Sequence, residues 1–366
     1  MNEYEQIFLL EGHPFNKEGL LSFCAEKIPL PDTPDWQREI WKFIMEWFSP
    51  EDYVEVQTSG STGKPKKIKL SKKHIRASAQ LTLDFFDLKH GDTALLCLPV
   101  KYIAGIMMIV RALTGRLNLF FTEPSSTPDL NKFHSMRFAA MVPLQVAEIT
   151  NSGNGLLKLE KTDTLIIGGS FLDKSLEEKL KTAGNNIWQT YGMTETISHI
   201  ALRKLNGPDS SGWYKPLPGV ELQKDERGCM IITALHIGVQ NLVTNDLVTF
   251  NKKGDFKIMG RYDNVIISGG VKLFPEEIEQ KLSGLVEKEF FMAGIPDEKL
   301  GEKLVLFIEN DAAEQSVENA LWQQVKNSLS GYEVPKKIIF LKTFEYNNQG
   351  KIKRKMTVDN FLTNPH

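Results

Sequence analysis

Several groups of residues in this chain of 366 have types and spacings suited to chemistry. The densest is "TSGSTGKPKKIK", residues 58–69. Gly60 and Gly63 let the backbone bring its N–H groups close to a ligand, while Thr58, Ser59, Ser61 and Thr62 add hydroxyls and Lys64 adds positive charge. That combination predicts a cradle for a multiply charged anion, most simply a nucleotide polyphosphate. It is not the common phosphate loop, because Pro65 follows Lys64 and Thr58 stands where the first glycine would be. A second group, "TYGMTETISHI" (190–200), offers Tyr191 as an aromatic face for a base, Thr194 as a hydroxyl and Glu195 as a hard oxygen ligand for Mg²⁺. In "TNDLVTF", Asp246 is a carboxylate suited to the two hydroxyls of a ribose, although a lone acid beside a β-turn also reads as a turn residue. "GRYDNVIISGGVKLFPEEIE" (260–279) and the basic "NQGKIKRK" (348–355) complete the set, the last reading on its own as a solvated tail.

The elements that must position these groups follow from the periodicity. "YVEVQ", "ALLCLPV", "LNLFF", "FAAMV" and "TLIIGG" read as strands. "SKKHIRASAQLTLDFF", "IMMIVRAL" and "LDKSLEEKLKTAG" read as helices between them. The alternation predicts a mostly parallel, helix-covered sheet with ligands at the carboxyl ends of its strands, and the 58–69 loop is expected there because it follows "YVEVQ". Before it, "TPDWQREIWKFIMEWF" predicts a helix with Thr33 as N-cap and Pro34 at the first helical position. Its stripe of Trp36, Ile40, Phe43, Ile44 and Trp47 predicts core packing. Residues 213–262 are β-like, with "DERG" and "NKKGD" as hairpin turns. A compact α+β unit follows, with a boundary near Tyr262–Asp263.

Composition narrows the function classes. A net charge of −2 gives no electrostatic case for nucleic-acid binding. The run "IAGIMMIV" is too short to span a bilayer, and the N-terminal stretch lacks the pattern of a signal peptide. Cys24, Cys97 and Cys229 are scattered and make no zinc spacing, which suits a reducing cytoplasm.

Taken together and in this order, "TSGSTGKPK", "YGMTE", "TND", "GRYDNVIISGGVKLFPEEIE" and "GKIKRK" resemble the adenylate-forming superfamily of acyl-CoA synthetases, peptide-synthetase adenylation domains and luciferases. The resemblance covers nearly all of the chain from about residue 53. It implies an α/β fold: a large N-terminal domain (1–262) with mostly parallel, helix-covered sheets and a small β subregion, then a small mobile α+β C-terminal domain (263–366). It implies a two-step reaction, in which a small-molecule carboxylate attacks the α-phosphate of ATP and the thiol of CoA then displaces AMP, with Mg²⁺ bound at Glu195. By resemblance, Thr58, Ser59, Gly60, Ser61, Thr62, Gly63 and Lys64 embrace the β- and γ-phosphates. Gly168, Gly169 and Ser170 form the wall of the adenine or acyl pocket, and Tyr191 and Gly192 lie against adenine. Thr194 touches the α-phosphate, Asp246 holds the ribose and Arg261 stands nearby. Lys351 matches the catalytic lysine, Asp263 the hinge, and Ser268, Gly269 and Gly270 the thiol's path after rotation.

"IISGGVKLFPEEIE" and "YGMTETISHIA" look most like the o-succinylbenzoate–CoA ligases of menaquinone biosynthesis. That acid carries a second carboxylate which needs a partner once buried, and His199, Lys101, Ser198 and Arg203 are the candidates. The chain departs from the pattern at "TND" for Thr-Gly-Asp, at Tyr102 for a histidine, at Phe171 for a proline and in a short region before the phosphate loop. The alternatives are another aryl or acyl acid–CoA ligase, a stand-alone adenylation enzyme that loads a carrier protein, and an inactive nucleotide-binding protein. A homodimer is left open.

Overall fold

The runs read as strands between residues 93 and 192 lie side by side in the computed structural model, which describes residues 7–57, 67–286, 288–311, 315–346 and 351–363. They form the middle of a 9-stranded sheet. Its spatial order is Lys215–Pro216, His199–Lys204, Asn186–Gly192, Thr162–Ile167, Met136–Met141, Thr93–Leu96, Asn118–Phe121, Phe8–Leu10 and His13–Phe15. From Asn186–Gly192 across to Phe8–Leu10 every neighbouring pair is parallel, and the strands outside that span are antiparallel. Successive side chains of a strand point to opposite faces, and here both faces are covered. Thus Leu96, Phe138, Ala140 and Ile166 join one buried cluster, while Leu95, Ala139, Met141, Leu165 and Ile167 join another.

The helix Asp35–Trp47 packs the predicted stripe into the first cluster through Ile40, Trp41, Phe43, Ile44 and Trp47. Burying each such side chain stabilises by about 1.5–3 kcal/mol. Its start differs from the expectation: Pro34 is the N-cap, and the Thr33 hydroxyl donates instead to the Lys27 carbonyl at 2.7 Å. Arg38 holds that entry, donating to the carbonyls of Ile28, Leu30 and Thr33.

A second correction concerns "YVEVQ". Tyr53–Gln57 is not a strand of the large sheet; it pairs antiparallel with Lys67–Ser71 in a separate two-stranded sheet. The loop between them therefore joins a hairpin rather than leaving a parallel strand. The physical reason is visible in the residues: Val54 and Val56 are buried while Glu55 and Gln57 are exposed, the one-faced alternation of an antiparallel pair. Residues 58–66, which include all seven phosphate-loop candidates, lie outside the described residues.

Residues 221–261 form a 4-stranded antiparallel sheet, Glu221–Lys224, Cys229–Ala234, Val239–Phe250 and Phe256–Arg261. After the single turn Tyr262–Asn264 comes a 5-stranded sheet. It contains Val271–Leu273, Ile266–Ser268, Gly301–Glu309 and Phe290–Asp297, with Lys337–Leu341 parallel to Gly301–Glu309. The helices Pro275–Leu282, Gln315–Ser328 and Arg354–Thr363 accompany it. The last was not anticipated, because the basic run read as a tail. The buried clusters of this part use residues from Ile266 onward, whereas the first two clusters stop at Phe256. Among the described residues no helix is long and apolar enough to cross a membrane.

Candidate active site

Neighbouring strand ends bring the first candidates together. Thr162–Ile167 and Asn186–Gly192 run parallel, so Gly168–Ser170 and Tyr191–Gly192 emerge at the same edge. The chain then folds back sharply: a Cβ on Gly192 would stand 2.3 Å from the Ser198 carbonyl oxygen, so only glycine fits. Between them lies the turn Thr194–Thr196, tied by the Met193 N–H to the Thr196 hydroxyl at 3.0 Å. Ile197 follows at φ 66° and ψ −52°, with the Ser198 N–H donating to the Thr196 carbonyl at 2.6 Å. This is a γ-turn of the strained hand on a buried β-branched residue, a conformation retained where the surroundings impose it.

The neighbouring antiparallel strands Val239–Phe250 and Phe256–Arg261 place Asp246 directly opposite Arg261. The Tyr191 hydroxyl donates to Asp246 Oδ2 at 2.6 Å, and Arg261 Nη1 donates to Oδ1 at 3.1 Å. Tyr191 is nearly buried, with its ring edge-on to Phe256 and Tyr214. Burial, followed by the Asp246 charge, pushes its hydroxyl well above the ordinary tyrosine value, so it stays a proton donor. Tyr191 thus orients the candidate ribose ligand, a task its sequence context did not suggest. Asp263 lies beside this pair, accepting from Asn245 Nδ2 at 3.0 Å and standing 3.6 Å from Arg261. Asn245 is the residue that replaces glycine in "TND", and its side chain is what reaches Asp263.

Lys351 comes from the last sheet unit yet stands close enough to Arg261 to feel its charge. Desolvation first, and the Arg261 guanidinium second, lower its pKa below the ordinary lysine value, although the residue keeps solvent contact. Ser268 and Val271 flank the Gly269–Gly270 turn of the hairpin Ile266–Leu273. Glu195 is exposed and has no hydrogen bond or ion pair among the described residues. An uncommitted carboxylate of this kind suits Mg²⁺, which takes few protein ligands and keeps waters and phosphate oxygens for the rest. Among the described residues no cluster of three or more His, Cys, Asp or Glu could hold a metal by itself.

The substrate candidates separate. Ser198 and His199 meet a residue that sequence reasoning missed, Arg111 on the helix Ile103–Gly115. Arg111 is 3% exposed, and its Nη2 donates to Ser198 Oγ at 2.7 Å. Among the described residues its Nη1 meets the Met108 sulfur alone, and its buried Nε finds no acceptor. No carboxylate pairs with it among the described residues. Burial alone lowers its pKa to about 9, leaving it charged at neutral pH. His199 is buried too. Desolvation, then the Arg111 charge, push its pKa well below the usual value, so it is neutral. One assignment satisfies the cluster: Ser198 donates to His199 Nδ1, 3.4 Å away, while His199 Nε2–H donates to Thr82 Oγ1, 3.3 Å away. Lys101 lies apart, in a shallow depression lined by Trp36, Glu39 and Glu123. Arg203 is committed, forking onto Glu177 at 3.0 and 2.5 Å. The signal for Arg111 was present as the one charge inside "IAGIMMIVRALTG".

The arrangement has known counterparts. A family model described as AMP-binding enzyme matches residues 5–230. The 2-succinylbenzoate–CoA ligase of Lactococcus lactis is 28% identical over 333 residues, 84% of this chain and 71% of that protein. The crystal structure of an acyl-CoA synthetase (AMP-forming)/AMP-acid ligase II-like protein from Dyadobacter fermentans is 36% identical, with a TM-score of 0.61, and covers 93% of this chain and 97% of its own. The o-succinylbenzoate CoA synthetase of Bacillus subtilis, solved with its acyl-adenylate intermediate, shares the fold at 23% identity, a TM-score of 0.72, and 85% and 69% coverage.

Proposed function

The chain belongs to the AMP-binding enzyme family and is an AMP-forming CoA ligase, and on that premise we propose that its substrate is an acid with a second carboxylate, namely o-succinylbenzoate. The observation that carries this reading is Arg111. A buried guanidinium without a counter-ion costs several kcal/mol. A substrate anion would supply the missing partner, with Ser198 completing the fork and neutral His199 holding Ser198 in place. A monocarboxylic acid would leave the charge bare once its own carboxylate had been activated.

In the proposed reaction the other carboxylate, ionised at neutral pH, attacks the α-phosphorus of ATP; the bond to pyrophosphate breaks and the acyl-adenylate forms. No general base is required. Thr58–Lys64 hold the departing phosphates, Asp246 holds the ribose, Thr194 contacts the α-phosphate, and Lys351 bridges attacking and attacked groups where negative charge crowds. Glu195 would be the protein ligand of Mg²⁺, which when bound would further neutralise the phosphates. The domain 263–366 then turns about Asp263, withdrawing Lys351 and bringing Ser268–Gly270 to the site. The CoA thiol gives up its proton to solvent, its sulfur attacks the acyl carbon, the bond to AMP breaks, and the thioester leaves.

The test is product analysis by mass spectrometry with ATP, Mg²⁺, CoA and either o-succinylbenzoate or benzoate. We expect o-succinylbenzoyl-CoA and AMP from the first acid, with Arg111→Met losing that preference. Equal conversion of benzoate by the unaltered enzyme would overturn the dicarboxylate reading.

A further inference from the structure

We propose that Arg354 is a positioning residue: clamped by Glu276 and Glu279, it fixes the segment that carries Lys351 and ties that segment to the chain at Asn264. The inference rests on Lys351 acting in adenylation, as read above. Lys351 is three residues before Arg354, which opens the helix Arg354–Thr363. The intervening residues are held by backbone bonds and apolar packing: Ile352 bridges Tyr346 and packs against the buried cluster that includes Phe291 and Phe307, and the Lys353 N–H donates to the Glu345 carbonyl at 2.7 Å. Arg354 supplies the charged anchor. Its Nη2 donates to Glu279 Oε2 at 2.7 Å, and its Nη1 stands 3.7 Å from Glu276 Oε1.

Both carboxylates come from one face of the helix Pro275–Leu282, three residues apart, so a single guanidinium can meet both. Each carboxylate is itself braced. Glu279 Oε1 accepts from the Met292 N–H at 2.7 Å, and Glu276 Oε1 accepts from Asn264 Nδ2 at 2.5 Å. Asn264 is the neighbour of the hinge candidate Asp263. Glu276 also presses on the strand before the hinge: a Cβ on Gly260 would lie 2.5 Å from Glu276 Oε2. Hinge, helix and lysine segment are therefore joined through one cation. Arg354 does not touch the nucleotide candidates by any contact found among the described residues, so its influence runs through Lys351.

The clamp also has a proton-dependent limb. Two carboxylates share one guanidinium, and desolvation raises the Glu279 pKa to about 7 against the opposing pull of Arg354 and the Met292 N–H; Glu276 adds to the rise. When Glu279 takes a proton, its ion pair with Arg354 is lost.

The experiment measures two half-reactions in the full chain, ATP–pyrophosphate exchange driven by the acid and thioester formation from supplied acyl-adenylate, from pH 5.5 to 8.5. Lys351→Met is run as the reference. For Arg354→Met we expect kcat of exchange to fall about tenfold to a hundredfold, the cost of a small misplacement, with KM for ATP and the second half-reaction nearly unchanged. Arg354→Lys should recover part of the loss. Glu279→Gln, which keeps the shape and guards against misfolding of the Met variant, should flatten the acid limb of the exchange profile near pH 7. Equal losses in both half-reactions, or an unchanged acid limb in Glu279→Gln, would overturn the proposal while leaving Lys351's role standing. If Lys351→Met itself leaves exchange intact, the reading of Lys351 fails and this inference falls with it.

Discussion

Arg111 and Arg354 are both largely removed from water, yet they face opposite surroundings. Around Arg354 the protein supplies two carboxylates, so the charge is neutralised before any ligand arrives. Around Arg111 it supplies a serine hydroxyl, a sulfur and a neutral histidine, none of which carries a negative charge. The first arrangement is complete within the protein; the second leaves a charge that the proposed dicarboxylic acid would answer. Breaking a buried pair leaves a bare charge, whereas removing an unpaired buried charge relieves one. The same residue type should therefore respond to the same substitution with opposite signs.

The largest effect concerns the group that Arg354 serves. Lys351→Met should lower ATP–pyrophosphate exchange by about 10²–10³-fold, as for loss of one preorganised stabilising group, and leave thioester formation from supplied adenylate largely intact. Rapid-quench kinetics of the two halves checks this, and parallel losses would remove the functional side of the comparison.

The comparison itself is decided by the two arginines. Arg354→Met should destabilise by about 3 kcal/mol, because it strands Glu276 and Glu279 in partly desolvated surroundings. Arg111→Met should leave the ligand-free protein as stable or more so, while its kcat/KM for the dicarboxylic acid falls by about 2 kcal/mol or more. Urea unfolding without ligand, alongside steady-state kinetics, gives both signs. Equal destabilisation by the two would mean that Arg111 has a counter-charge in solution and that the contrast is false.

The smallest effect is in pH. Glu279 has its folded pKa raised from 4.5 to about 7. A carboxyl so shifted binds its proton more tightly in the folded state, so its contribution to stability is full below pH 4.5 and is lost as the pH rises through about 7. Glu279→Gln should remove that slope, which stability measured against pH would reveal. An unchanged slope would place the proton on another group and weaken the account of the clamp.

Much of the architecture was legible because it repeats. Leu95, Leu96, Phe138 and Ile166 sit in runs of apolar residues that only a doubly covered sheet can bury, and the stripe of Trp36, Ile40, Phe43, Ile44 and Trp47 recurs at helical spacing. The misreadings came from local competition. Thr33 could cap a helix, but the Lys27 carbonyl took its hydroxyl. "YVEVQ" falls in the alternation that predicts the large sheet, although its own exposed Glu55 and Gln57 mark a one-faced hairpin. In the site, Ser198 and His199 stand within a recognisable motif, while Arg111 sits in a run too apolar to look like chemistry.

The kinds of group this protein possesses, and their order, are plain from the chain alone, since hydroxyl-rich loops, acidic turns and a lysine after glycine are properties of short segments. So are the periodicities that make sheets and helices. Which groups meet is a property of the folded molecule. Arg111 comes from the helix Ile103–Gly115 and Ser198 from a turn 87 residues later; Arg354 and Glu279 are separated by 75. Whether a buried charge finds a partner depends on distances across the fold, because Coulomb energies and desolvation are set by what lies within a few ångströms in space and not by neighbours along the chain.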